Sequence, residues 1–236
     1  MTNNKILHIF EIDQSTGSFI KQSLKNHNPS IYKDLLSKFF EYKYSWSNTI
    51  KNSFKSFDVE VIIGNSPELQ KLWMKEYINE DLKEFDKTKI IKEQIKYYKA
   101  KKVLFQNLKT FEAIHSHLKA ENIKSIVYDG VGYNSKFVGK NSDIIFSCMN
   151  SSINFYKNFN NNCLYLPHAF DKSIKLPNAK KNNDIIFIGS VENKDHFDRV
   201  LFLNKIHKKF KIKLWLGKKP TRTRILKNLI YNFFFK

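Results

Sequence analysis

The stretch Val103–Asn150, VLFQNLKTFEAIHSHLKAENIKSIVYDGVGYNSKFVGKNSDIIFSCMN, decides the fold class. Three short apolar runs in it read as strands: VLFQN (Val103–Asn107), KSIVYDG (Lys124–Gly130) and DIIFSCMN (Asp143–Asn150). Between the first two, Lys109–Asn122 sets Phe111, Ile114, His115 and Leu118 at helical spacing, so a helix is expected there. Strand, helix and strand in succession predict parallel strands joined by crossover helices. The runs are continuously apolar rather than alternating, as a parallel sheet covered on both faces requires. The expected fold class is therefore α/β, a Rossmann-like parallel sheet with helices on both faces.

The same alternation extends in both directions. Upstream, KILHIFEI (Lys5–Ile12) and DVEVIIGN (Asp58–Asn65) read as strands. The first opens onto the loop Asp13–Ser18, from which a helix should start near Phe19. The second closes on Ser66, a natural cap, and on Pro67, which suits the first helical position. Ser30–Phe54 reads as one helix, and the charged, periodic stretch Glu80–Lys102 reads as another, with Ile90, Ile91, Ile95 and Tyr98 as its apolar stripe. Downstream, Ser151 or Ser152 is expected to cap a short helix ending near Asn158, and CLYLPHAFD (Cys163–Asp171) is a sixth strand running into a turn.

KSIKLPNAKKNN (Lys172–Asn183), polar, basic and broken by Pro177, reads as an interdomain linker. After it come the strand NDIIFIGSV (Asn183–Val191), an amphipathic helix over Asp195–Phe210, the strand KIKLWLG (Lys211–Gly217) and a basic helix in TRTRILKNLIYNFFFK. The expected organisation is a Rossmann-like lobe over residues 1–171, a linker over 172–183, and the first β-α-β of a second Rossmann-like lobe over 184–236.

Hydrophobic residues make up 42% of the 236 and aromatics 15%, far too much for a disordered chain. The net charge of +19 points first to a polyanion. Its carriers are almost all Lys, with arginine only at 199, 222 and 224, and they occur beside abundant Asn, Ile and Phe, the bias of an AT-rich genome. Compositional bias is thus the leading explanation. An anionic membrane or glycolipid surface comes second, and nucleic acid is disfavoured because its sequence readers lean on Arg. Cys148 and Cys163 have neither CxxC spacing nor His partners and read as reduced core thiols. The start, MTNNKILHIFEID, lacks a basic leader, and no apolar run reaches about 18 residues, so a bacterial cytoplasmic location is expected. Peripheral contact with the inner membrane is the variant of that location. The basic tail Thr221–Lys236 could supply such contact, although covering an unfinished sheet is the favoured reading of its apolar stripe.

In an open parallel sheet, ligands bind beyond the carboxyl ends of the strands. The loop after the first strand holds Asp13, Ser15, Gly17 and Ser18. Asp13 is a candidate base toward an acceptor hydroxyl, and Ser15, Gly17 and Ser18 are candidate substrate contacts. The bland alternative is a capped turn. With Gly17 as its only glycine, the loop is no dinucleotide fingerprint. Asp129, in an Asp-Gly pair that also signals an ordinary turn, and His168, where the sixth strand leaves the sheet, are further candidates for the same cleft. Gly189 and Ser190 end the first strand of the second lobe with Arg199 on the following helix, a set that can approach and neutralise a diphosphate. His115 and His117, two apart on a helix, face different sides and form no metal pair. Neither a metal nor an organic cofactor is expected.

Asp184–Val191, with Arg199 and the ending LWLG (Leu214–Gly217), resembles the opening of the C-terminal lobe in GT-B glycosyltransferases. There a strand of the form FVGS precedes a helix with an Arg and a strand ending in YG. LPHAFD (Leu166–Asp171) is similar to the LP-x-x-x-D segment before that lobe in spore-maturation (CgeB-type) glycosyltransferase-like proteins and group 1 transferases. The resemblance spans roughly Val103 onward and rests on the order of several motifs. It implies a metal-independent enzyme that moves a sugar from a nucleotide-sugar donor to a hydroxyl of a glycan, lipid or protein acceptor. The acidic ribose motif of that family lies in later parts of the C-terminal lobe, so the lobe is expected to be incomplete in this sequence and the chain alone not to transfer sugar. The alternatives are a non-catalytic binding or assembly module on the same fold, and a basic nucleic-acid-binding protein.

Overall fold

The computed structural model describes residues 5–13, 17–18, 31–41, 48–130, 139–168, 185–189 and 197–216. The chain divides into two compact units, Met1–Lys175 and Leu176–Lys236. The first holds six parallel strands: β1 (Lys5–Phe10), β2 (Asp58–Ile63), β3 (Lys102–Phe105), β4 (Lys124–Asp129), β5 (Ile144–Ser147) and β6 (Cys163–Tyr165). They form one sheet in the order β2-β1-β3-β4-β5-β6. The chain leaves β1 toward one edge and returns on its other side, which makes the gap between the carboxyl ends of β1 and β3 the switch point of the sheet.

The helices of this unit are α1 (Tyr32–Glu41), α2 (Thr49–Ser53), α3 (Pro67–Trp73), α4 (Lys87–Tyr97), α5 (Leu108–Ala120) and α6 (Asn150–Tyr156). Successive residues of β1 point to opposite faces, and two different cores receive them. Leu7 and Ile9 pack with Val103, Phe105 and Val127 of the sheet and with Ile91, Ile95, Phe111, Ile114 and Leu118 of α4 and α5. Phe10 packs with Ile63 and with Tyr32, Leu35, Leu36 and Phe39 of α1 and Leu69 and Trp73 of α3. Each such side chain contributes about 1.5–3 kcal/mol by leaving water. Polar residues share this interior, Gln70, Gln94 and His8 among them. His8 is fully buried, in register with Val61 of β2 and Leu104 of β3, and its ring lies 6.2 Å from that of Phe10.

The ends of several elements differ from expectation for local reasons. β1 stops at Phe10 because the backbone of Ile12 turns to the Asn65 side chain, donating to its Oδ1 at 3.0 Å and accepting from its Nδ2 at 2.6 Å. Ser66 does cap α3, accepting from the Leu69 amide, and Pro67 is the first helical residue. α3 then runs into a π-helical turn over Met74–Ile78, closed by Asn79 in the left-handed region (φ 59°). The helical part of Glu80–Lys102 starts only at Lys87, where the Asp86 side chain accepts from the Lys89 amide at 3.0 Å. Ser30–Phe54 is not one helix; it holds α1 and α2, with residues 42–47 outside the described set. The caps proposed for α6 are also corrected. The cap residue is Met149, without a side-chain bond, and Ser152 is buried inside the helix. Gly17 and Ser18 have helical backbone, while Phe19, the linker 172–183 and the tail 221–236 lie outside the described residues.

The second unit contains β7 (Ile185–Gly189), α7 (Phe197–His207) and β8 (Ile212–Leu216), the strands pairing in parallel with Phe187 opposite Leu214. Among the described residues, no helix is long and apolar enough to cross a membrane.

Candidate functional site

Two polar groupings stand at the carboxyl edge of the six-stranded sheet. The first occupies the switch point. Glu11 follows β1 directly, and its half-buried carboxylate accepts from Lys87 Nζ at 3.0 Å and from the Thr110 hydroxyl. Lys87 also donates to Thr110 Oγ1 at 2.8 Å. Lys87 begins α4, and Thr110 is held in the first turn of α5 because its amide donates to the Asn107 cap at 3.0 Å. A carboxylate, an ammonium and a hydroxyl from three elements therefore meet where the topology opens the sheet. Charge-assisted bonds of this kind are shorter and stronger than neutral ones.

The second grouping lies beyond β4, β5 and β6. Asp129 is 2% exposed and accepts from the hydroxyl of Tyr156 on α6. Gly130 follows it, and a Cβ there would stand 2.9 Å from Tyr128 Cε1, so any side chain at 130 must displace that ring. The exposed His168 ring sits against Tyr128, centroids 6.2 Å apart and tilted by 65°. The Cys148 thiol points to the Gly130 carbonyl at 3.6 Å. Burial, then the adjacent Cys148, pushes the Tyr128 phenol well above its ordinary pKa, so it stays protonated across the physiological range. Cys148 lies past the end of β5 and is half-buried rather than in the core, whereas Cys163 is buried; both are free thiols.

The structure thus places Asp129 and His168 at one edge of one sheet, His168 beside Gly130 and Asp129 turned to Tyr156. Asp13 is solvent-exposed at the same edge, and its carbonyl accepts from the Gly17 amide at 2.9 Å. Ser18 continues that turn, while Ser15 lies outside the described residues. In the second unit, Gly189 and Arg199 do come together: Arg199 Nη1 is 3.7 Å from where a Cβ on Gly189 would stand. The guanidinium carbon also lies 6.0 Å from the centroid of the Phe187 ring. Ser190 lies outside the described residues.

Glu11, Lys87 and Thr110 were missed in the sequence because Glu11 lies 76 residues from Lys87 and 99 from Thr110. The one available signal was position, since Glu11 ends a central strand and Lys87 and Thr110 open the helices that flank it. Among the described residues no three His, Cys, Asp or Glu side chains gather as a metal-binding group. The first unit is a parallel α/β domain. No family model, no curated protein and no solved structure matches the chain.

Proposed function

We propose that this chain takes part in glycosyl transfer, moving a sugar from a nucleotide-sugar donor to a hydroxyl of a glycan, lipid or protein. The observation that carries the reading is the Gly189–Arg199 pair at a β-to-α turn. A glycine leaves the backbone open to a phosphate, and a guanidinium beside it matches the charge that develops on a leaving diphosphate. In this scheme the carboxyl edge of the first unit receives the acceptor, with Asp13 as base and His168 and the Asp129 edge as contacts. Glu11 does not serve as base, because its carboxylate is already engaged by Lys87 and by the Thr110 hydroxyl.

The same engagement of Glu11 and Asp129 favours a second reading, a binding module that holds a sugar nucleotide or glycan without turnover. Calorimetric titration and nucleotide release with a panel of nucleotide-sugars separate the two. The transferase reading expects one donor to bind, Arg199→Ala to weaken it at least about tenfold, and, once the chain is supplied with the remainder of a donor-binding lobe, Asp13→Asn to lower turnover on the order of a hundredfold with binding retained. Binding without release in any acceptor mixture, even with the remainder of such a lobe supplied, supports the module. A panel in which nothing binds defeats both.

A further inference from the structure

Every charged residue from Arg199 to Lys236 is Lys or Arg; no Asp or Glu interrupts the run. In the described part of it, the outer side of α7 mixes these cations with large apolar side chains. Phe202 is 60% exposed, Phe210 in the turn after the helix 55%, and Leu201 44%. Lys205, Lys208 and Lys209 are exposed with them. Positions three and four apart share a helix face, so Leu201 and Phe202 lie on one stripe with Lys205. Val200, Leu203 and Ile206 are the half-buried positions of the same helix. One stripe is partly covered, and a different one carries Leu, Phe and Lys into solvent.

That combination is what a helix lying in a lipid interface uses: rings enter the acyl boundary, and lysine stems run along it to leave ammonium groups among headgroup phosphates. We infer that the outer side of α7 and the turn after it dock on an anionic lipid surface. Phe202 and Phe210 insert, and Lys205, Lys208 and Lys209 neutralise the headgroups. Nucleic acid is the other polyanion this charge could meet, and the side chains present favour it less. Single strands are held by stacking on aromatic rings and guanidinium planes, whereas the cations beside Phe202 and Phe210 are the ammonium groups of Lys205, Lys208 and Lys209, and Leu201 has no ring face. Docking of this kind needs neither donor nor acceptor, so it stands or falls separately from sugar transfer.

The test is cosedimentation of the full chain with vesicles of phosphatidylcholine alone and of phosphatidylcholine with about a third phosphatidylglycerol. Binding is expected to the anionic vesicles only and to weaken with salt. Replacing Lys205, Lys208 and Lys209 together by Gln should lower partitioning about fivefold per charge, on the order of a hundredfold in all. Phe202→Ser with Phe210→Ser should weaken binding while leaving its salt dependence in place. These positions are exposed, so circular dichroism and the denaturation midpoint should match the parent chain. Equal binding to neutral vesicles, binding to neither, indifference to the lysine replacements, or displacement from anionic vesicles by single-stranded RNA would each overturn the inference.

Discussion

Acid should destabilise this fold in good part through one interior residue, His8. Its ring is fully buried in the central strand, and neither ring nitrogen has a hydrogen-bond partner of good geometry. Burial lowers its pKa from 6.5 to about 4, and the nearby Gln106 side chain offsets this only in part. Below pH 6.5 the unfolded chain takes up a proton that the folded chain refuses until about pH 4, so stability present above pH 6.5 is lost across that window. At about 1.4 kcal/mol per pH unit the loss is about 2 kcal/mol at pH 5 and about 3 kcal/mol at pH 4. We would measure urea unfolding of the parent chain and of His8→Leu from pH 7.5 to pH 4. Every other ionisable group is common to both, so the difference between the two curves isolates His8. The variant should equal or exceed the parent at pH 7.5, since it removes two desolvated nitrogens. The gap should widen by about 3 kcal/mol toward pH 4. In nuclear magnetic resonance spectra the His8 ring protons should not titrate above about pH 5. Parallel curves, or a His8 ring that titrates near 6.5, would refute the reasoning.

Two further outcomes follow from the second polar grouping. Gly130→Ala should cost about 1–3 kcal/mol in urea unfolding, because its methyl meets the Tyr128 ring at 2.9 Å; an unchanged midpoint would mean that the ring moves freely. Tyr156→Phe should also cost about 1–3 kcal/mol by taking a donor from buried Asp129. In combination with Asp129→Asn it should be non-additive, and strict additivity would show that the two groups do not interact.

The strands were legible because a parallel sheet buried on both faces writes itself as continuous apolar runs, and all six expected runs of the first unit are strands of one sheet. Their ends were less so. Lys5–Ile12 overran β1 because nothing local to Glu11 and Ile12 shows that Asn65, 53 residues away, captures the Ile12 backbone. Likewise Ser151 and Ser152 looked like caps by type, but the α6 backbone begins early enough to carry Ser152 into the interior. Asp129 and His168 could be named as candidates because they sit at strand exits, where the ligand rule looks. Glu11, Lys87 and Thr110 were not, since an ion pair across elements leaves no local pattern. His8 was readable in principle: between Leu7 and Ile9 on a strand covered on both faces, it had nowhere to point except inward.

The position of β1 also bears on how the chain reaches its fold. β1 is made well before one of its neighbours, β3, which pairs Lys102 with Ile6. At about 5–20 residues per second, synthesis leaves that side of β1 unpaired for roughly 5–20 seconds. An apolar strand with an open edge is a template for pairing with other chains. Throughout that interval the nascent protein exposes KILHIF to whatever else is being made nearby. Its yield in a cell should therefore depend on holding chaperones and on translation speed through the stretch between β1 and β3 more than on the stability of the finished sheet.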